Sequence, residues 1–152
     1  MLTTGQVAPD FELMDQDNKP VRLSNLLERG TVVLYFYPKD ETAGCTAEAC
    51  SFRDNYEIFG DAGAQVVGVS RDSVASHRSF ANHHRLPFTL LSDPGGKVAD
   101  EYGVERALFG LTAGRSTFVI DKTRVIRHTF TSLVMATKHV GEALAVVKRL
   151  NS

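Results

Sequence analysis

Cysteine is nearly missing from this chain: Cys45 and Cys50 are the only two among 152 residues. A pair that sparse cannot frame a disulfide-stapled domain, and it suits a reducing compartment. Charge of one sign is not in excess either, with a formal net charge of −1 and a pI near 6.5. That balance leaves no electrostatic footprint for nucleic acid or a membrane surface. No apolar run approaches bilayer length, so no transmembrane segment is expected. Met1 to Gln6 form neither a basic nor an apolar stretch. No signal peptide is therefore expected, and the cytoplasm is the default compartment. Linkers, repeats and low-complexity stretches are missing too. With 43% hydrophobic residues, one domain spanning residues 1–152 with a substantial core is expected.

What is present is an alternation of strand and helix signals. Phe11 to Met14 and Val21 to Leu23 flank the turn-rich Asp15 to Asn18, which reads as an N-terminal β-hairpin. A short helical turn at Leu26 and Leu27 follows Ser24. Thr31 to Tyr37 is a continuous apolar and β-branched run, as expected of a strand buried on both faces. Further strands are read at Gln65–Ser70, Leu90–Leu91, Thr117–Ile120 and Val125–Phe130. Helices are read from Ser73, as N-cap, to about His83, from Lys97 to Tyr102 with Gly103 as terminator, and from Lys138 to Leu150. Strands interleaved with helices, ending strand–strand–helix, argue an α/β fold with a central mixed β-sheet flanked by helices.

Within this alternation the two cysteines occupy a telling place. Cys45, Ala49, Phe52, Tyr56 and Phe59 recur at helical spacing, so one helix should bury that face. Cys45 then falls where a loop leaving the buried strand becomes the first turn of a helix. Backbone N–H groups there lack intrahelical partners, and the positive end of the macrodipole favours an anion. A thiol in that position loses its proton readily, which points to a thiolate enzyme; the plain alternative is a small buried hydrophobe. The C-x4-C spacing lacks a second pair to complete a tetrahedral metal set. His77, His83 and His84 read as a solvated helix face and the loop after it, so no metal site or cofactor is expected.

The segment Pro38-x3-Thr42-x2-Cys45 resembles the active-site motif of the peroxiredoxins. Gly44-Cys45-Thr46-Ala47-Glu48-Ala49-Cys50-Ser51-Phe52-Arg53-Asp54 is similar to their bacterioferritin comigratory protein, or peroxiredoxin Q, branch. The likeness continues through Val67 to Ser70, Leu86 to Phe88, Leu91 to Asp93 and Arg115 to Asp121. The resemblance implies a thioredoxin-like fold and a cysteine peroxidase that reduces hydrogen peroxide and organic hydroperoxides in oxidative-stress defence. It further implies a Cys45 sulfenic acid, an intramolecular Cys45–Cys50 disulfide, and recycling by thioredoxin or a similar dithiol reductant. A monomer, or at most a weak homodimer, is expected. Ala43 stands where the branch often has Pro, and Val104 to Gly114 is shorter than in many relatives.

The site chemistry follows residue by residue. A free thiol titrates near about 8.5, so attack on an O–O bond needs help toward the thiolate and donors for the leaving oxygen. Cys45 is the candidate nucleophile and Cys50 the resolving residue. Thr42, one turn earlier, either accepts the proton of an incoming hydroperoxide, caps the helix, or does both. By resemblance, Pro38 shields the site from water; on its own it merely ends a strand. A lone Arg115 beside a strand would ordinarily be solvated, but the family motif places it against the thiolate and the peroxide. Glu48 either orients Arg115 or decorates an exposed face. Lys39, Asp40 and Glu41 read as solvated loop charges with no role. A thioredoxin-like disulfide reductase is the competing enzyme reading, but C-x-x-C and a Pro at Arg115-Ser116-Thr117 are both missing. A redox-sensing holdase would need a large spare apolar stripe, which the sequence does not show.

Overall fold

The computed structural model describes residues 1–107, 112–132 and 136–150. Chain order is β1 (Glu12–Asp15), β2 (Pro20–Arg22), α1 (Leu23–Leu27), β3 (Thr31–Phe36), α2 (Ala43–Asp54), α3 (Tyr56–Asp61) and β4 (Ala64–Ser70). Then come α4 (Val74–His84), β5 (Thr89–Ser92), a 3-10 turn at Pro94–Gly96, α5 (Lys97–Glu101) and the short pair β6 (Arg106–Ala107) and β7 (Thr112–Ala113). β8 (Ser116–Ile120), β9 (Ile126–Thr131) and α6 (Ala136–Leu150) complete it. The Val104 to Gly114 segment singled out in the sequence is described only in part, since residues 108–111 lie outside the described residues.

Seven strands form one mixed sheet in the order β2-β1-β5-β4-β3-β8-β9. β3 is parallel to β4, and β4 to β5, while β1, β8 and β9 add antiparallel neighbours. The reading of Thr31 onward as a doubly buried strand holds, because every residue of β3 is buried. Its alternation sorts the core into two halves. Val33 and Tyr35 face a cluster with Ala49, Phe52, Phe59, Phe80 and Val147 from α2, α3, α4 and α6. Val32, Leu34 and Phe36 face a second with Leu23, Leu27, Val98 and Ala99 from α1 and α5. Each fully buried Val, Leu or Phe in these layers contributes about 1.5–3 kcal/mol, so the central strand cannot shift without disturbing both halves.

Close approach at one point needs a glycine. A Cβ on Gly68 of β4 would lie 2.8 Å from Cζ of Tyr35 and 3.0 Å from Leu90 Cδ2. Its absence lets the Tyr35 ring lie across the neighbouring strand and stack on Phe52 at 4.6 Å. The cysteine helix differs from the sequence reading at its far end. α2 stops at Asp54; Asn55 takes φ −105° and ψ 9°, and its side-chain amide donates to the Ser51 carbonyl at 2.8 Å. The stripe is therefore split over two helices: Cys45, Ala49, Phe52 and Phe59 are buried, but Tyr56 begins α3 and is 40% exposed. The expected apolar position at Tyr56 is thus corrected.

Candidate active site

Neighbouring strands and one helix start build the site. β3 ends at Phe36, and Pro38, which has no N–H to offer the ladder, turns the chain out toward α2. Phe36 pairs with Ser116 of β8, so Arg115, one residue earlier, arrives beside that loop. Thr42 is the N-cap of α2, and the first intrahelical bond runs from Thr46 N–H to the Thr42 carbonyl at 2.8 Å. Cys45 therefore lies in the first turn, where the free N–H groups and the dipole favour negative charge.

The Cys45 thiol is 1% exposed, and Arg115 Nη2 donates to its Sγ at 3.4 Å. Arg115 is itself 4% exposed, and its Nη1 donates to Glu48 Oε1 at 2.6 Å. One guanidinium thus bridges the sulfur and a carboxylate one turn further along the same helix. Of the two roles open for Glu48, decoration of an exposed face is excluded, since the side chain is fully buried. Its Oε2 has no hydrogen bond and lies 3.8 Å from His139 Nδ1. Burial raises the Glu48 carboxyl to about 8, with Arg115 pulling the other way. His139 brings no compensating charge: burial lowers it to about 4, its Nε2–H donates to the Ser132 carbonyl, and Nδ1 accepts from the Thr117 hydroxyl at 2.7 Å.

Gly44 makes room for this arrangement, because a Cβ there would stand 3.0 Å from Arg115 Nη2. Thr42 is exposed, and its hydroxyl donates to the Lys39 carbonyl at 2.8 Å without capping α2. The side-chain cap considered for it is not formed, and its oxygen lone pairs stay available to accept. Pro38 is buried beside the loop. Cys50 is half-buried on the same helix, and both cysteines are free thiols. The structure so brings Cys45, Glu48 and Arg115 into contact and leaves Cys50 turned to another side of α2.

Sequence reasoning missed one group here. Asp40 is not a solvated loop charge: it is 5% exposed and takes hydrogen bonds from the Tyr37 hydroxyl at 2.6 Å and the Ser76 hydroxyl at 2.8 Å. His77, read as part of a solvated face, is fully buried, with Nδ1 2.7 Å from Asp40 Oδ2 and Nε2 2.9 Å from the Leu91 carbonyl. The Asp40 N–H donates to Asp72 Oδ2 at 2.9 Å, and Asp72 also accepts from Ser70. These bonds tie the loop leading into Cys45 to β4, α4 and β5. A helical signal existed, since His77 shares its face with Phe80 and Ala81, both buried. Glu41 is exposed as expected, but it is held by His83 and His84.

Comparisons with known proteins supply the family and the fold. Residues 4–129 match the AhpC/TSA family. The chain is 50% identical over 149 residues to the chloroplastic peroxiredoxin Q of Triticum aestivum, covering 98% of this chain and 68% of that one. The crystal structure of peroxidoxin BcpB from Mycobacterium tuberculosis superposes with a TM-score of 0.94 at 43% identity over the full length of both chains. The Xanthomonas campestris bacterioferritin comigratory protein, for which alkyl peroxide reduction activity is described, superposes at 0.88 with 29% identity over 99% of this chain and 100% of that one. The mixed sheet with its N-terminal hairpin is accordingly a thioredoxin-like peroxiredoxin fold. With residues 4–129 matched and half of its residues identical to a peroxiredoxin Q, this chain belongs to the AhpC/TSA family and is, within it, a thiol peroxidase of the peroxiredoxin Q group.

Proposed function

We propose that this chain reduces hydrogen peroxide and organic hydroperoxides through Cys45 and is recycled by thioredoxin or a similar dithiol protein. The contact of 3.4 Å between Arg115 Nη2 and Cys45 Sγ carries the reading, since it sets a fixed positive charge and an N–H donor beside the sulfur that would attack the O–O bond. The Cys45 thiolate attacks one peroxide oxygen, the O–O bond breaks, and the electron pair leaves with the other oxygen, which is protonated to water or an alcohol. Cys45 becomes a sulfenic acid. Thr42, whose hydroxyl proton points to the Lys39 carbonyl, accepts a hydrogen bond from the hydroperoxide O–H. Pro38 limits water around the sulfur.

The Cys50 thiolate then attacks the sulfenic sulfur, hydroxide leaves as water, and a Cys45–Cys50 disulfide forms. Two thiols of the reductant become a disulfide as that bond is reduced. A peroxide assay coupled to thioredoxin, thioredoxin reductase and NADPH tests the scheme. Cys45→Ser should consume no peroxide. Cys50→Ser should form one Cys45 sulfenic acid in a single turnover and then stop cycling. Wild-type cycling by Cys50→Ser with thioredoxin would remove Cys50 from the resolving role.

A further inference from the structure

A second cluster of chemistry-bearing side chains lies outside the sulfur site but on the same loop. Glu41, between Asp40 and Thr42, reaches the last turn of α4. Its carboxylate meets His83 Nδ1 at 2.9 and 3.2 Å and His84 Nε2 at 2.7 Å. One donor atom from each of the three residues lies within 4.8 Å of the others. We propose that Glu41, His83 and His84 form a binding site for a divalent transition-metal ion of the zinc class.

Three observations carry it. The donor set is two imidazole nitrogens and one carboxylate, the combination borderline-soft divalent ions take when a coordination position stays open. Spacing is nearly right already: ligands about 2.0–2.1 Å from a tetrahedral ion stand about 3.4 Å apart, against 2.7 and 2.9 Å between Glu41 and the two rings here. An ion entering between the groups takes the place of the hydrogens that now bridge them, each passing to its ring's other nitrogen or to water, while the rings move outward from Glu41. The arrangement is also held before any ion arrives. His84 stands edge-on to Phe80 at 5.2 Å, and its carbonyl accepts from Arg53 Nη1 at 2.7 Å. Glu41 is fixed in a left-handed backbone conformation with φ +63°.

Access is open on one side, since the His83 side chain is 66% exposed and Glu41 45% exposed, while His84 at 17% forms the floor. Water can complete the coordination. The buried group of Asp40, Asp72 and His77 differs, because its atoms are already committed to the loop-anchoring bonds described above. The proposed site does not depend on the peroxidase reading. An ion there would pin the loop residue next to Thr42 to α4.

Thiols also bind zinc, so the test removes them. Titration calorimetry with zinc chloride on the Cys45→Ser/Cys50→Ser chain should give one ion per chain in the micromolar range. His83→Asn and His84→Asn should each weaken it by at least about tenfold. His128→Asn, which alters a histidine 3.3 Å from Glu142, should leave it unchanged. Cobalt(II) bound to the same Cys45→Ser/Cys50→Ser chain should show the visible bands of nitrogen and oxygen ligation, and lose them when His84→Asn is added. No binding at millimolar zinc, or binding that survives both His83→Asn and His84→Asn, overturns the site.

Discussion

Replacing Glu48 by glutamine puts the charge arrangement around Cys45 to a quantitative test. The Glu48 carboxyl is fully buried, bonded to Arg115 at 2.6 Å through one oxygen and unbonded at the other. Burial carries it from 4.5 to about 8 although Arg115 opposes the rise. In the unfolded chain the same group ionises at its ordinary value. Between those two pH values the native protein keeps a proton that the unfolded chain has lost. Native stability therefore falls as pH rises through this window, and the loss is complete above about pH 8. At about 1.4 kcal/mol for each pH unit, the upper bound is about 5 kcal/mol. Relaxation and the effective dielectric inside proteins reduce this, so a measured loss of about 2–4 kcal/mol is expected.

Glutamine has no proton to lose, and its amide oxygen can still accept from Arg115. Urea unfolding of the Cys45→Ser chain, with and without the added Glu48→Gln substitution, would be followed from pH 5 to pH 9. The Cys45→Ser background removes the thiol's own titration, and every other group cancels in the difference. The glutamine variant should gain relative stability across the window, with little further change above it. A difference that stays constant from pH 5 to pH 9 would refute the reasoning and show that Glu48 is ionised throughout.

Other consequences are local to the same architecture. Gly44→Ala places a Cβ 3.0 Å from Arg115 Nη2, so stopped-flow peroxide reduction should slow by about tenfold while the unfolding midpoint barely moves; an unchanged rate would mean the guanidinium has room to spare. Asp40→Asn swaps an acceptor for a donor facing Tyr37, Ser76 and His77, and should cost about 2–4 kcal/mol in urea unfolding; an unaltered midpoint would show that the network adds nothing to stability. Gly68→Ala forces a methyl to within 2.8 Å of Tyr35 and should destabilise by about 1–3 kcal/mol, and calorimetric melting at the wild-type temperature would contradict that.

The parts of this fold that were legible in the sequence are those with a local signature. β3 announced itself through an unbroken apolar run, and Ser73 through its place before a periodic stretch; its hydroxyl does accept from Ser76 N–H at 3.1 Å. The strand–loop–helix start placed Cys45 for the same reason. Polar groups satisfied from far along the chain were not legible. Asp40 and His77 are 37 residues apart, and each looks solvated until the other is beside it. Arg115 and Glu48 are 67 apart; the family motif singled out Arg115, while nothing local distinguished a buried Glu48 from an exposed one. Tyr56 failed differently. The apolar period ran on across Asn55, where the helix stops and a new one starts in another phase.

The proposed Cys45–Cys50 disulfide would require one helix to serve two incompatible geometries, and this sets the final expectation. Along α2, five steps place the Cys45 and Cys50 Cα atoms about 8–9 Å apart and turn their side chains about 140° from each other. A disulfide needs Cα atoms within about 7 Å and converging Cβ vectors. The first turns must therefore unwind when the bond forms. Resistance is uneven along the helix. Its start is held by Arg115, which bonds both Cys45 and Glu48, and forming the disulfide takes the Cys45 sulfur out of that contact. Its end is anchored by Phe52, fully buried and stacked on Tyr35 at 4.6 Å, and by Arg53 on the His84 carbonyl. Opening should begin at Ala43 and stop near Phe52. Hydrogen–deuterium exchange of the disulfide form should rise from Ala43 to about Ser51, with Arg53 and all of β3 as protected as in the reduced chain. Helical circular dichroism should fall in step. Matching exchange profiles for the two forms across Ala43 to Ser51 would mean that the Cys45–Cys50 bond forms some other way, or not at all.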